Sequence, residues 1–251
     1  MNYKTLFADL FFISFLMITS CGHLPLNKAS NNKTLNEQFQ SLHQKAQSTN
    51  IKLVAGTYKG KSLRVVIPPK NETPKPLIIA LHWAGGGDTY IQYGKCLAEP
   101  AFKKLNAYMI IPDAESMVWT NKYNEQKVLE LIALAKENWN IDSKKIVVTG
   151  YSNGGNGAWF FAEKHPDLIN AAIPMASAYR PESKIKIPLY VIHGEKDELF
   201  NITRTHNWVN ASKEKGSNIT FKSVPKLSHY MACDYVKPLK KAVDWWAKMN
   251  E

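Results

Sequence analysis

Gly150-Tyr151-Ser152-Asn153-Gly154 sets a serine between two glycines at a spacing suited to nucleophilic chemistry. A serine hydroxyl is a weak nucleophile; it needs a base to take its proton and an acid to orient that base. The β-branched run Ile146-Val147-Val148-Thr149 leads into the motif and reads as a buried strand, and the residues from Asn156 to Ala162 are compatible with a helix. A sharp strand-to-helix turn lifts the hydroxyl out of the sheet. It demands small residues where the backbone passes close to itself, and Gly150, Gly154 and Gly155 supply that room.

On such a turn the partners follow in the chain order Ser, Asp or Glu, His. Leu189 to Ile192 reads as a strand running through His193-Gly194 toward Asp197, just past its end. Glu195 and Glu198 are neighbouring alternatives; the position after a buried strand and His-Gly favours Asp197. Ile219 to Val224 reads as a strand followed by a short loop carrying His229. His82, His165, His193 and His206 compete for the role of base. His165 precedes Pro166 in a polar loop, His193 shapes the turn after its strand, and His206 falls in a predicted helix. Only His229 follows the last strand before the closing helix. A fourth element is Leu81-His82-Trp83-Ala84-Gly85-Gly86-Gly87. Acyl transfer develops an oxyanion that needs backbone N–H donors, and a glycine-rich loop lets main chain approach it. The N–H after the nucleophile, that of Asn153, is the second expected donor. No Lys-Ser/Thr pair follows the glycines, which argues against a phosphate loop. No His/Cys/Asp cluster has zinc-like spacing, so neither metal nor cofactor is expected.

The elements that must position these residues alternate. Ile51 to Tyr58 and Ser62 to Ile67 pair as a hairpin with Lys59-Gly60 near its turn. Strands follow at Leu77 to Leu81, Tyr108 to Ile111, Ile146 to Thr149, Ala171 to Met175, Leu189 to Ile192 and Ile219 to Val224. Helices are expected within Thr89 to Leu105, where Pro100 interrupts, and at Asn124 to Trp139, Ile202 to Lys215 and Tyr235 to Met249. In the second of these, Val128, Leu131, Ile132, Ala135 and Trp139 share one stripe. This rhythm predicts an α/β fold with a mostly parallel sheet covered on both faces, and ligands bound at the carboxyl ends of its strands.

The chain has 251 residues, 45% of them hydrophobic and 21% charged, with a net charge of +11. Basic residues are spread out with no basic-aromatic module, which argues against nucleic-acid binding; attraction to anionic lipid, cell-wall polymer or an acidic substrate is the sharper reading of the charge. Residues 1–20 carry Lys4 and then an apolar run from Leu10 to Ile18, too short to span a bilayer comfortably. The sequence Ile18-Thr19-Ser20-Cys21 resembles the lipobox of bacterial lipoproteins. Lipid on Cys21 implies an exported protein held on a membrane of the cell envelope, and Gly22 gives no aspartate signal for inner-membrane retention. Residues 21–50 read as a polar tether, with a short helix around Leu35 to Gln47, and 51–251 as one catalytic domain. Cys96 and Cys233 remain, either as a disulfide near the site or as two buried thiols.

Taken together, the stretches from Leu81 to Gly87, Gly150 to Gly155 and His193 to Asp197, with Ser228-His229, resemble those of the α/β-hydrolase family over residues 51–251. They are most similar to secreted esterases such as polyhydroxybutyrate depolymerases, feruloyl esterases and acetyl xylan esterases. The resemblance implies Ser152 as nucleophile, Asp197 as orienting acid and His229 as base. Such relatives usually carry His-Gly where this chain has His82-Trp83, so the first oxyanion N–H falls to Trp83 or Ala84. Ala84 is favoured, with Trp83 lining the acyl or leaving-group side.

The expected activity is serine-dependent hydrolysis of carboxylic esters through an acyl-enzyme. Only Ala176 to Pro188 is available where many lipases insert a cap, so the site should be open to short-acyl, aromatic or polymeric esters. Tyr151 joins Trp83 as an expected wall of the substrate site, and Trp119 either forms a third aromatic wall or packs within its own loop. Two alternatives are an exported peptidase of the prolyl-oligopeptidase type and a non-catalytic binding lipoprotein on a hydrolase scaffold. Oligomeric state is not legible.

Overall fold

The computed structural model describes residues 53–58, 61–69, 72–114 and 118–250, with Glu37 alone before them. The expected signal segment, Cys21, the tether with its short helix apart from the helical Glu37, and the Lys59-Gly60 turn lie outside the described residues.

Eight strands form one sheet, in the spatial order β1-β2-β4-β3-β5-β6-β7-β8. They are β1 (Leu53–Tyr58), β2 (Lys61–Val66), β3 (Lys75–Leu81), β4 (Tyr108–Pro112), β5 (Ile141–Tyr151), β6 (Ala171–Met175), β7 (Leu189–Lys196) and β8 (Ile219–Ser228). The first two pair antiparallel with Leu53 opposite Val66, and β2 also runs antiparallel to β4. From β4 to β8 every pair is parallel. The chain lays β4 on one side of β3 and then β5 on the other. That reversal opens a crevice at the carboxyl ends of β3 and β5, where ligands of such sheets bind.

Among the residues described from Leu53 on, six α-helical segments cover the two faces: α1 (Thr89–Tyr93), α2 (Glu99–Phe102), α3 (Lys122–Asn138), α4 (Asn153–Lys164), α5 (Ile202–Glu214) and α6 (Val236–Lys248). Alternation along β3 divides the core. Leu77, Ile79 and Leu81 face α3 and α4 together with Val128, Leu131, Ala158 and Phe161. Ile78 and Ala80 face the other way, among Leu97, Phe102, Leu239 and Trp246. At the start of α3 the Asn121 side chain accepts the Asn124 N–H at 2.9 Å, satisfying one of the donors that a helix start leaves open.

Several expected boundaries move. The helix expected within Thr89 to Leu105 is split: a π-helical turn, Gly94–Ala98, separates α1 from α2, and a 3-10 turn, Lys103–Leu105, ends the run. Pro100 has no N–H to donate and its ring crowds the preceding turn, so the helix widens ahead of it. On the far side of the sheet β7 and β8 run longer than expected, and β8 includes Pro225. As the edge strand β8 pairs only with β7; an edge tolerates a residue without a ladder donor. His229 therefore follows its strand directly rather than sitting in a loop.

Two devices hold the loops around the site. The Glu163 side chain, fully buried, accepts from the Glu182 and Ser183 N–H groups at 2.7 and 2.6 Å, from Ser183 Oγ at 2.9 Å and from the Tyr179 hydroxyl. It pins down the connection between β6 and β7, where no cap domain rises. Burial alone would push the Glu163 carboxyl up, but the hydrogen bonds from Tyr179, Ser183 and Glu182 outweigh it and hold the group below its usual range. Cys96 and Cys233, 137 residues apart with Cα atoms at 5.2 Å, are joined as a disulfide between the π-helical turn and the 3-10 turn Ala232–Tyr235.

Because its folded value is depressed, Glu163 adds stability that is complete above the ordinary carboxylate range and lost as the pH falls through the folded value. Glu163→Gln should cost about 2 kcal/mol at neutral pH and flatten the acid side of the stability–pH curve measured by urea unfolding. Reducing the disulfide should lower stability by about 2–5 kcal/mol, read as a fall in Tm in dithiothreitol that Cys96→Ala/Cys233→Ala reproduces.

Candidate active site

The turn after β5 is built by what its residues lack. Ser152 has φ 55° and ψ −118°, a left-handed backbone that few side chains adopt. A Cβ on Gly150 would lie 2.0 Å from the Gly154 carbonyl oxygen, and one on Gly154 would lie 1.9 Å from that of Leu81. Both are main-chain clashes that no rotamer can relieve. The Ser152 N–H is taken by the Met175 carbonyl at 2.9 Å. Asn153 is the first residue of α4, and its N–H belongs to the first turn, which has no acceptor within the helix.

Three polar side chains meet at the carboxyl ends of β5, β7 and β8. Ser152 Oγ lies 2.8 Å from His229 Nε2. His229 Nδ1 lies 2.9 Å from Asp197 Oδ2 and 3.0 Å from Oδ1. Asp197 Oδ1 also accepts the Leu199 and Phe200 N–H groups, at 3.1 and 2.7 Å. The carboxylate side chain is fully buried. Burial would raise its pKa, but the hydrogen bonds from His229 and Phe200 outweigh it and hold the carboxyl below the usual carboxylate range. A carboxylate kept ionised there fixes the proton of His229 on Nδ1 and leaves Nε2 free to accept from Ser152.

His193 and His82 are buried and do other work. His193 Nε2 donates to the Phe200 carbonyl at 2.7 Å and lies 3.5 Å from Asp197 Oδ2, bracing the turn that carries the acid. His82 Nδ1 donates to the Trp83 carbonyl at 2.6 Å, while its Nε2 accepts the Ala114 N–H at 3.1 Å. Burial pulls both imidazoles down, keeping them neutral. In a planar trans peptide the N–H points opposite to the C=O. Anchoring the Trp83 carbonyl on His82 therefore aims the Ala84 N–H away from His82, and Ala84 lines the cleft.

The cleft, about 580 Å³, is bounded by Trp83, Ala84, Tyr151, Ser152, Leu199, His229 and the run Tyr230 to Asp234. Leu199, Tyr230 and Met231 are exposed at its rim. Trp119 is not among these residues, which corrects its expected role as an aromatic wall. It is fully buried, donates from Nε1 to the His82 carbonyl at 2.8 Å and fills the slot that Gly157 leaves open. It packs beneath the oxyanion-side loop instead of facing substrate. The sequence offers Glu198 only as an alternative acid and Tyr151 only as a wall; in the structure Glu198 Oε2 accepts the His229 N–H at 2.9 Å, and the Tyr151 hydroxyl donates to the His229 carbonyl at 2.7 Å. Both contacts go to main chain, which leaves no pattern of residue types to detect. Among the described residues no group of three His, Cys, Asp or Glu side chains is placed to hold a metal ion.

For the ester hydrolysis proposed below, Asp197→Asn should leave the fold intact by circular dichroism and lower kcat/KM for an aryl ester by about 10⁴-fold, because an amide N–H₂ facing Nδ1 selects the wrong tautomer.

Comparison with known proteins bears on the whole of this arrangement. The model of the dienelactone hydrolase family matches residues 65–251. Protein usf of Aquifex pyrophilus is 32% identical over 124 residues, which is 45% of this chain and 53% of that protein, so the chain spans about half the length of that relative. Among solved structures, a thermostable esterase superposes with a TM-score of 0.65 at 21% identity, covering 78% of this chain and 62% of the other. The fluorophosphonate-binding serine hydrolase F of Staphylococcus aureus, in a substrate-bound form, also gives 0.65, at 14% identity over 77% and 96%. At these identities the structural likeness speaks for the fold, and the family match covers more than half of the chain. The chain belongs to the dienelactone hydrolase family, within the α/β-hydrolase superfamily.

Proposed function

We propose that the protein is a serine-dependent carboxylic ester hydrolase. The observation that carries this reading is the 2.8 Å contact between Ser152 Oγ and His229 Nε2 at an open cleft. Family membership and esterase neighbours of the same fold support hydrolysis in general. In the proposed cycle His229 Nε2 takes the proton of Ser152 as Oγ attacks the ester carbonyl. Asp197 stabilises the imidazolium through Nδ1–H. The N–H groups of Ala84 and Asn153 receive the developing oxyanion, with Trp83 serving as a wall. His229 then protonates the leaving alcohol, and water, activated by the same imidazole, releases the acid.

Short-acyl, aromatic or polymeric neutral esters are the proposed substrates. Among the described residues the cleft is lined by Trp83, Leu199, Tyr230 and Met231 and by no lysine or arginine, while Asp234 brings a carboxylate to its wall. Such a wall suits an uncharged or polymeric ester over an anionic one. We also propose export and lipid attachment at Cys21, on the strength of Ile18-Thr19-Ser20-Cys21 alone; detergent-phase partitioning of the native protein, lost in Cys21→Ser, tests it.

Fluorophosphonate labelling of the purified protein beside Ser152→Ala and His229→Ala tests the nucleophile without assuming a substrate. Labelling should be confined to Ser152 and fall sharply without His229. A folded protein that does not label would turn the reading toward a binding scaffold, and preferential cleavage of aminoacyl amides would turn it toward a peptidase. Within an ester panel, phenyl acetate should be preferred over 4-acetoxybenzoate by about fivefold in kcat/KM, as expected for one like-charge contact with the exposed Asp234 at about 4 Å in water.

A further inference from the structure

His229 stands where the sheet gives it least support. It follows β8, the edge strand, whose ladder with β7 shifts register between Gly194 and Lys196. Lys226, three residues before it, has φ 68°. An irregular edge ladder cannot by itself hold the next residue to the few tenths of an ångström that contacts of 2.8 Å to Ser152 and 2.9 Å to Asp197 require. Something else must fix this peptide.

Two side chains reach it from opposite ends. The Tyr151 hydroxyl donates to the His229 carbonyl at 2.7 Å, and Glu198 Oε2 accepts the His229 N–H at 2.9 Å. Tyr151 precedes the proposed nucleophile in the chain and Glu198 follows the proposed acid. Each of the other two triad members thus has an immediate neighbour bonded to the backbone of the third. Tyr151 is buried, and burial raises its hydroxyl far above the usual range, so it remains a donor at any working pH. Its ring lies 5.7 Å from the imidazole, and the Phe200 ring stands edge-on to the imidazole at 5.0 Å.

We infer that Tyr151 and Glu198 are positioning residues that clamp the peptide backbone of His229 and so keep Ser152, His229 and Asp197 in register. The kinetic part of this inference rests on the esterase reading above; the clamp itself does not.

The test uses Tyr151→Phe, Glu198→Ala and Glu198→Gln in the full chain. Tyr151→Phe should lower kcat about tenfold with KM within about twofold, and Glu198→Ala should lower kcat about 10- to 100-fold, the loss expected for neutral and charge-assisted hydrogen bonds. A glutamine oxygen still accepts an N–H, so Glu198→Gln should recover most of the loss. Hydrogen exchange at the His229 amide, which needs no substrate, should be slow in wild type and in Glu198→Gln and fast in Glu198→Ala. Unchanged kcat in both Tyr151→Phe and Glu198→Ala overturns the inference. So does a glutamine variant as impaired as the alanine one, which would make the charge and not the hydrogen bond the cause. A change confined to KM would make Tyr151 a substrate contact instead. Glu198 is exposed, so if Tyr151→Phe fails to fold the Glu198 pair still decides. If wild type fails to label with fluorophosphonate, the esterase reading falls, and amide exchange alone decides the clamp.

Discussion

Between the turn that carries Ser152 and the end of β3 there is no room for one more carbon atom. Gly154 sits so close to the Leu81 carbonyl that a methyl group there would overlap it, and much of the site depends on that contact. It brings the start of α4 against the loop that begins at His82, so that Ala84 and Ser152 border one cleft. Two residues before Gly154, Ser152 takes a left-handed backbone. Such conformations persist only where the surroundings over-determine them. The buried strands β3, β5 and β6 supply that support, with the Ser152 N–H bonded across to Met175.

Around this fixed point the other parts are held by short, specific bonds rather than by bulk. Asp197 sits in a turn whose own N–H groups bond back to its side chain, with His193 bracing the Phe200 carbonyl. The loop carrying Ala84 is oriented by a neutral buried His82 and supported from beneath by Trp119. His82 and His193, held neutral by burial, each have a proton whose position is set by a fixed carbonyl acceptor. The site is therefore arranged before any substrate arrives, which is the condition under which dipoles lower a barrier most.

Ser152, Asp197 and His229 were legible because three constraints coincide in the sequence: small residues around a serine, a strand ahead of each candidate, and a fixed chain order. The parallel sheet was legible from its apolar runs. Where the reading failed, the deciding fact was spatial. Trp119 had two plausible homes, and it occupies the inner one because Gly157, far along the chain, leaves a slot beside it. The extra length of β7 and β8 depends on Pro225 lying on an edge, which cannot be known before the strand order is. Glu198 and the Tyr151 hydroxyl bond to peptide groups, and every residue has one, so no spacing betrays them.

The disulfide between Cys96 and Cys233 joins the wall of the cleft to the helical turns after β3. Ser152, Asp197 and His229 are carried by the ends of β5, β7 and β8 and not by the bridged turns, so freeing both thiols leaves the elements that carry those residues unchanged. What loosens is the wall against which a substrate rests, because the turn Ala232–Tyr235 loses its only covalent tie to the opposite shoulder. The arrangement of Ser152, His229 and Asp197 and the shape of the cleft wall thus rest on different supports: packing against the sheet for the first, a bond between two sulfur atoms for part of the second.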